Sequence, residues 1–438
     1  MDWDEIENDY NYKIFQDPIH GYMKFNSLCL QFIDTKQFQR LQKLKQLGSL
    51  FYIFSAANHT RKEHSLGVGH LSGELIKKFK YDQPELNITN RDINIIRLSG
   101  LLHDLGHSAF SHVFDNVFMR IVNPYINYNH EEMSLNMIDY LIEDNNIDIE
   151  KDDINLIKKV IMGSKTINKR DSKDYMYEIV ANGINGIDTD KFDYLSRDMH
   201  HIFGNYKSYN FTRLYEYNKI IDNKICYNTK VAFDIYNLFQ QRYQMHKQIY
   251  NNVKGKSIEY MISHIMLYAN KEFNISKSVE NPKDFLYITD NIIDKIEESN
   301  NPNLKKSKEL IKRLYKRDLY EFIDEYIIPT ELVYKIPKIK SIDISTHNMS
   351  DINLNSEEII IYDNKLNFNL SNKNPVNNVY FYNSSNKNKK IKKNENDVSL
   401  LLPNVYEERI IRVYSTRSDK KYNEAIKSAF KYFIYQFK

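Results

Sequence analysis

The stretch LLHDLGHSAFSH, residues 101–112, constrains this chain more than any other. Its Leu, Ala and Phe residues suffice to half-bury it, yet it carries His103, Asp104, His107 and His112. Polar side chains buried without partners cost free energy. A fold that accepts this stretch must supply it with complementary charge or a cation. On a helix, His103 and His107 would share a face, with Asp104 about 100° round. A lone buried histidine is most often a satisfied core residue, so the weight falls on what accompanies these four.

Upstream, HTRKEHSLGVGH (59–70) sets His64 in the opening of a helix expected over 61–79. Downstream lies NGIDTDKFDYLSRD (185–198). On a helical wheel its Asp190, Lys191, Tyr194 and Asp198 fall within one arc of about 100°, which predicts a face turned to a polar cavity. His64, His103, Asp104 and Asp190 form a mixed nitrogen and oxygen ligand set, suited to Mn, Fe, Zn, Ni or Co. The chain has two cysteines, Cys29 and Cys226, too few for a structural Cys-type zinc site. His107, His112, His130, Arg61, Lys191 and Arg242 add cations and donors. A metal beside a cationic rim is what an anionic phosphate substrate requires.

The 438 residues suffice for one large domain or two. No apolar run reaches the length of a membrane span, and the acidic start MDWDEIENDYNYK lacks the order of a signal peptide. Two cysteines fit a reducing compartment, so a cytoplasmic or nuclear protein is expected rather than a secreted one. A net charge of +3 is too small to imply nucleic acid by itself. Apolar periodicity predicts helices over 34–48, 61–79, 91–107, 133–144, 154–163, 188–203 and 233–252, with nearly all helix to about 330. Beyond it, KIKSIDIS, EEIIIYD, KLNFNLS, NVYFYN and ERIIRVYS read as short strands, closed by a helix over 419–436. NKNKKIKKNEND reads as an exposed Lys-rich loop, with weak nucleic-acid binding as its functional alternative. The expected fold is mainly α: a helical core over 1–330 and a small C-terminal α+β lobe over 331–438.

The order H…HD…D, here His64, His103-Asp104 and Asp190, is that of the HD-domain metal-dependent phosphohydrolases, and it sets the motif region at about 61–200. FQDPIHG, DTKQFQRLQKLKQLG, RKEHSLGVGHL, GLLHDLGHSAFSHVFD, NHE and EIVANGINGIDTDKFDYLSRDMHHIFG resemble the deoxynucleoside triphosphate triphosphohydrolases of the SAM-and-HD-domain type. The resemblance starts near residue 13, is dense to about 255, weakens to about 330 and returns in LLPNVYEERIIRVYS. No SAM domain is expected before it.

The resemblance implies one transition metal, Fe, Mn or Zn, on His64, His103, Asp104 and Asp190. It implies Arg61, His107, Lys191, Tyr194 and Arg242 around the triphosphate, with Mg²⁺ on the phosphates. His112 and His130 would flank the scissile bond, with Asp115 and Glu131 orienting them. Gln46 and Asp198 would hold the 3′-hydroxyl, and Leu47 and Tyr250 would close the space of a ribose 2′-hydroxyl. His246 and Asn251 would lie near the base, Asn251 standing where the family has Gln. His112 and Asp115, three apart, would meet on one helical face, where the carboxylate would make the imidazole more basic. Protonated His112 would then donate to the departing 5′-oxygen as water attacks the α-phosphorus. The products would be a deoxynucleoside and inorganic triphosphate. Rival readings are an HD phosphohydrolase of monophosphates or cyclic nucleotides, and a non-catalytic nucleic-acid-binding regulator.

The resemblance further implies a homo-oligomer, dimer or tetramer, with an activating guanine nucleotide between subunits. Lys13, Asp34, Gln39 and Arg412 match that site. Gln42 stands where an Arg reads the guanine, Asn252 and Val253 replace a His-Lys pair, and Thr416 replaces a Lys. Charge-assisted contacts carry most of the energy of a triphosphate site, so their loss predicts weak or absent activation. Hydrolysis of dTTP should change little on adding GTP. A large rise in rate together with a dimer-to-tetramer shift in sedimentation would contradict this.

Overall fold

The computed structural model describes residues 11–125, 128–163, 173–369 and 371–437. The principal elements in chain order are β1 (Lys13–Asp17), β2 (Gly21–Phe25), α1 (Ser27–Ile33), α2 (Arg61–Asp82), α3 (Asn90–Leu102), α4 (His130–Asn145), α5 (Lys151–Ile161) and α6 (Thr189–Phe203). Then come β3 (Asn218–Ile221), β4 (Lys224–Asn228), α7 (Ala232–Met245), α8 (Val253–Phe273), α9 (Lys305–Tyr315) and β5 (Glu321–Ile328). The chain ends with α10 (Ser341–Thr346), β6 (Ile359–Asn367), β7 (Tyr380–Asn383), β8 (Asn386–Ile391), β9 (Glu407–Ser415) and α11 (Lys420–Tyr435). The mainly helical expectation holds. Among the described residues no helix is long and apolar enough to cross a membrane.

The chain forms two compact units that interleave in sequence, and neither ends at residue 330. The first comprises Met1–Arg242, Asn274–Ile292 and Asn374–Leu402. Its centre is α2, packed along α3 and α6. Gly100 permits the close crossing of α2 and α3, since a Cβ there would lie 2.8 Å from the Val68 carbonyl oxygen. The second unit comprises Tyr243–Phe273, Ile293–Lys373 and Pro403–Lys438. Its three-stranded sheet has the order β5-β9-β6, with both pairings antiparallel. Central β9 is buried almost throughout, and its Ile411 and Val413 pack with Ile426 and Phe430 of α11.

Several local expectations are corrected. The stretch before 330 is not all helix, because β1–β2, β3–β4 and β5 lie in it. The β1–β2 turn is tied by Asp17, whose Oδ1 accepts from the backbone N–H of Ile19 at 2.8 Å and His20 at 3.0 Å. The β3–β4 turn places Asp222 and Asn223 at φ +46° and +61°, the left-handed pair a two-residue hairpin needs. Within 34–48 the helix is short, an α-helical turn at Lys36–Gln39 running into a 3-10 turn at Arg40–Lys43, since 44–46 is drawn out to pair with 59–61: Gln46 N donates to His59 O and Arg61 N to Leu44 O. KIKSIDIS forms helix α10 instead of a strand, because Asp343 accepts from Lys340 N at 2.7 Å and caps it. The Lys-rich segment is not all loop, since part of it is strand β8. It lies at the edge of a second sheet, β3-β4-β7-β8, within the first unit. The C-terminal strands therefore serve two sheets, not one lobe.

Gly67 of α2 sits beneath α6, and a Cβ there would lie 1.9 Å from Asp193 Oδ1. Gly67→Ala should destabilise the protein by at least about 1–3 kcal/mol, the usual cost of overpacking. An unchanged denaturation midpoint would contradict this packing.

Candidate metal and phosphate site

Three helix termini meet at the site. At the start of α2, Thr60 and Glu63 form a capping box, which fixes the turn bearing Arg61 and His64. Helix α3 was expected to run to residue 107 but stops at Leu102. Ser134 of α4 causes the stop, since its Oγ donates to the His103 carbonyl at 2.6 Å and accepts from Gly106 N at 2.8 Å. His103 and His107 therefore do not share a helical face. Asp188 caps α6 by accepting from Lys191 N at 3.0 Å, which places Asp190 in the first turn.

His64, His103 and Asp190 bring one ligand atom each within 4.8 Å of the others. His64 Nδ1–H donates to Asp193 Oδ2 at 2.7 Å, and His103 Nδ1–H to the Gly100 carbonyl at 2.8 Å. Both Nε2 lone pairs then face inward, only 3.2 Å apart. Asp190 Oδ1 lies 3.1 Å from His64 Nε2 and 3.6 Å from His103 Nε2. Asp104 joins them, with Oδ1 3.3 Å from His103 Nε2 and Oδ2 3.6 Å from His64 Nε2. Such a set needs a cation between its lone pairs. Burial opposes a proton on His64, but hydrogen bonds with Asp190 and Asp193 outweigh it and raise its pKa to about 10. A metal would displace that proton. The two imidazoles, each fixed through its other nitrogen, and two carboxylates fit a borderline transition metal.

Asp193, absent from the sequence reading, orients this set. It also accepts from His20 Nε2 at 2.6 Å and from Arg197 at 2.9 and 2.8 Å. Arg197 in turn reaches Asp17 at 2.8 Å. Asp193 lies three residues after Asp190 on α6, so the same wheel that found Asp190 places it on the adjoining edge. Asp17 and His20 were already in view in FQDPIHG.

A second cluster holds His107, His112, Asp115 and His130. Asp115 was expected to orient His112, but its Oδ2 instead accepts from His130 Nδ1–H at 2.7 Å and lies 3.8 Å from His112 Nδ1. The chain widens into a π-turn at Phe114–Phe118, which breaks the regular i, i+3 register. Glu131 does not orient His130: it is half exposed and 4.0 Å from His130 Nε2. Burial opposes charge on His130, but Asp115 raises its pKa above the usual imidazole value. His107 is buried and stacks on His130 at 3.9 Å, and burial with the Arg61 and His130 charges holds it neutral. His112 is the open member, its side chain 61% exposed. It follows Phe110 and Ser111, both in left-handed backbone at φ +58° and +56°, a strained pair held from several sides. Buried Asp290 accepts from Phe110 N at 2.6 Å and Lys45 N at 2.7 Å. Arg40 donates to the carbonyls of His107, Leu286 and Ile288.

Arg61 is buried and committed to the protein, donating to Asp104 Oδ2 at 2.5 Å, Ser111 Oγ at 2.8 Å and the Gln46 carbonyl at 3.4 Å. Lys191 pairs with Asp188 at 2.9 Å, and Asp198 Oδ1 accepts from His59 at 2.7 Å. Gln46 Oε1 is buried and has no hydrogen-bond partner among the described residues. Leu47 precedes a short helical turn at Gly48–Tyr52, and Tyr194 lies on α6. Arg242 ends the first unit's long segment; His246 and Tyr250 belong to the second, in a π-turn with their rings 5.0 Å apart. The residues matched to a guanine site are divided. Lys13 and Asp34 pair at 2.7 Å and Gln39 accepts from Lys62, all in the first unit. Arg412 belongs to the second unit and pairs with Glu325.

His103→Ala should empty the site of transition metal, as measured by elemental analysis of the purified protein. Asp193→Asn should lower the stability of the protein, because Arg197 is left buried with one carboxylate fewer, and weaken metal affinity about tenfold to a hundredfold. Normal metal content in His103→Ala would refute the ligand set.

The HD domain family matches residues 61–198. The chain is 37% identical over 434 residues to the deoxynucleoside triphosphate triphosphohydrolase SAMHD1 homolog of Dictyostelium discoideum, across 98% of this chain and 82% of that protein. It is 34% identical over 468 residues to the human deoxynucleoside triphosphate triphosphohydrolase SAMHD1, across 96% and 73%. A putative HD domain-containing protein of Acanthamoeba polyphaga mimivirus is 33% identical over 402 residues, across 84% and 85%. With the HD ligand set assembled and the likeness running through nearly the whole chain, the protein belongs to the SAMHD1 family of HD-domain deoxynucleoside triphosphate triphosphohydrolases.

Proposed function

We propose that this protein hydrolyses deoxynucleoside triphosphates to a deoxynucleoside and inorganic triphosphate. The observation that carries the reading is the convergence of two oriented imidazoles and two carboxylates beside a second histidine cluster, in a chain of this family. One transition-metal ion, iron, manganese or zinc, on His64, His103, Asp104 and Asp190 would supply Lewis acidity and an acidified water, and Mg²⁺ would accompany the substrate phosphates.

The remaining work falls to side chains. Lys191 and Arg242 supply positive charge for the triphosphate. Burial opposes the Lys191 charge, but Asp188 outweighs it and keeps the ammonium. Arg61 acts as a fixed charge, since its donors are spent on Asp104 and Ser111. Tyr194 lines the phosphate side. His112, the exposed imidazole, gives its proton to the departing 5′-oxygen. His130, kept cationic by Asp115, offsets charge on the phosphate behind it. Gln46 and Asp198 contact the sugar 3′-hydroxyl. Leu47 closes the space beside C2′. Self-association, as dimer or tetramer, belongs to the same reading.

Chromatography of the products tests it. Each dNTP should yield deoxynucleoside and triphosphate, and chelator should stop the reaction. GTP should turn over at least about tenfold more slowly than dGTP, because a 2′-hydroxyl would be buried unpaired. Release of monophosphate and pyrophosphate would contradict the reading. The pH profile separates the two histidines' roles. Asp115 raises the His130 pKa, so activity that needs charged His130 falls as pH rises through that raised value. Asp115→Asn should move this alkaline limb to lower pH, and His112→Ala should keep the metal but lose turnover. An unmoved limb would remove His130 from the charged role.

A further inference from the structure

His59 takes no part in the chemistry assigned above, yet it touches both residues assigned to the sugar hydroxyl. Its ring is buried, and its Nε2–H donates to Asp198 Oδ1 at 2.7 Å. Its backbone carbonyl accepts from Gln46 N–H at 3.0 Å. The latter contact belongs to the short antiparallel pairing of Lys45 with Thr60, so the 44–46 segment is laid directly against 59–61.

The ring is held from a third side. His201, three residues after Asp198 on α6, stacks on it at 4.3 Å with 10° between the planes. Burial, with the neighbouring His59 and His200, lowers the His201 pKa to about 4, so His201 brings no positive charge to the stack. Among the described residues His59 Nδ1 has no hydrogen-bond partner, while Nε2–H meets the Asp198 carboxylate. A tether needed only to fasten a loop to α6 would not require an imidazole with one nitrogen buried and unpaired. A hydroxyl is donor and acceptor at once, so it can accept from the Gln46 side-chain amide nitrogen while donating its one proton to the Asp198 carboxylate.

We propose that His59 is the positioning residue for the sugar 3′-hydroxyl, fixing Asp198 through its ring and Gln46 through its backbone, and thereby setting the preference for a 3′-hydroxyl over a 3′-deoxy sugar. This rests on the assignment of Gln46 and Asp198 as the hydroxyl contacts. Substitution of His59 removes the ring contact and leaves the backbone contact in place. The loss should therefore fall on substrates that carry the hydroxyl.

The experiment compares kcat/KM for dGTP and 2′,3′-dideoxy-GTP in the wild type, His59→Phe and His59→Gln, with metal content and circular dichroism measured on each. The wild type should favour dGTP by roughly tenfold or more, the worth of a buried hydrogen bond. In His59→Phe, turnover of dGTP should fall by about that factor while the dideoxy substrate changes by less than about twofold. His59→Gln, which keeps a donor toward Asp198, should retain most of the preference. Should His59→Phe not fold, His59→Asn, too short to span to Asp198, takes its place with the same expectation. An equal loss on both substrates, or no change in their ratio, overturns the role of His59. A wild-type ratio near one overturns the assignment of Gln46 and Asp198, and this proposal with it.

Discussion

The carboxylate of Asp193 is the interaction on which the first unit depends. It is buried, and it accepts hydrogen bonds from His20, His64 and Arg197. Burial alone would favour its neutral form, but the Arg197 charge and these donors hold it ionised, well below the usual carboxylate range. A buried anion is tolerable only when fully paired, so loss of one partner strands the rest. Through this one group the β1–β2 hairpin, α2 and α6 are fixed to each other. The same contact sets the His64 ring so that Nε2 faces Asp190. Stability and ligand geometry are thus one arrangement, and the cost of burying the charge is offset by the site it orients.

The second cluster is held by a different device. Phe110 and Ser111 adopt left-handed backbone immediately before His112. Each such residue costs of order 1 kcal/mol or more and persists only under constraint from its surroundings. Here the constraint is Asp290 on the Phe110 amide, Lys45 O on Ser111 Oγ, and Arg40 on the carbonyl of His107. Burial raises the pKa of Asp290 to about 6, and the Lys45 and Phe110 amides it accepts from oppose that rise by favouring the carboxylate. The result is an exposed histidine, His112, beside a half-buried His130 that Asp115 holds.

The convergence of His64, His103, Asp104 and Asp190 was legible because these residues sit in ordered motifs whose chemistry suits a cation. The helices over 61–79 and 188–203 were legible from their apolar period. What escaped had non-local causes. The helix through His107 stops because Ser134, some thirty positions on, captures its last carbonyl. The 34–48 helix gives way to pairing with 59–61. Asp290 and Arg40 act through backbone groups of distant segments, which leave no periodic trace. The His112–Asp115 pairing was inferred from regular helical spacing, which a π-turn abolishes. The hairpin at Asp222-Asn223 and the neighbour Asp193 were within reach of turn and wheel arguments.

In the proposed reaction water attacks the α-phosphorus and the 5′-oxygen leaves with the deoxynucleoside. Hydrolysis of dGTP in ¹⁸O-labelled water, followed by mass spectrometry of both products, locates the bond that breaks. One labelled oxygen is expected in the inorganic triphosphate and none in deoxyguanosine. Label in the deoxynucleoside, or its appearance in a monophosphate or pyrophosphate product, would contradict it.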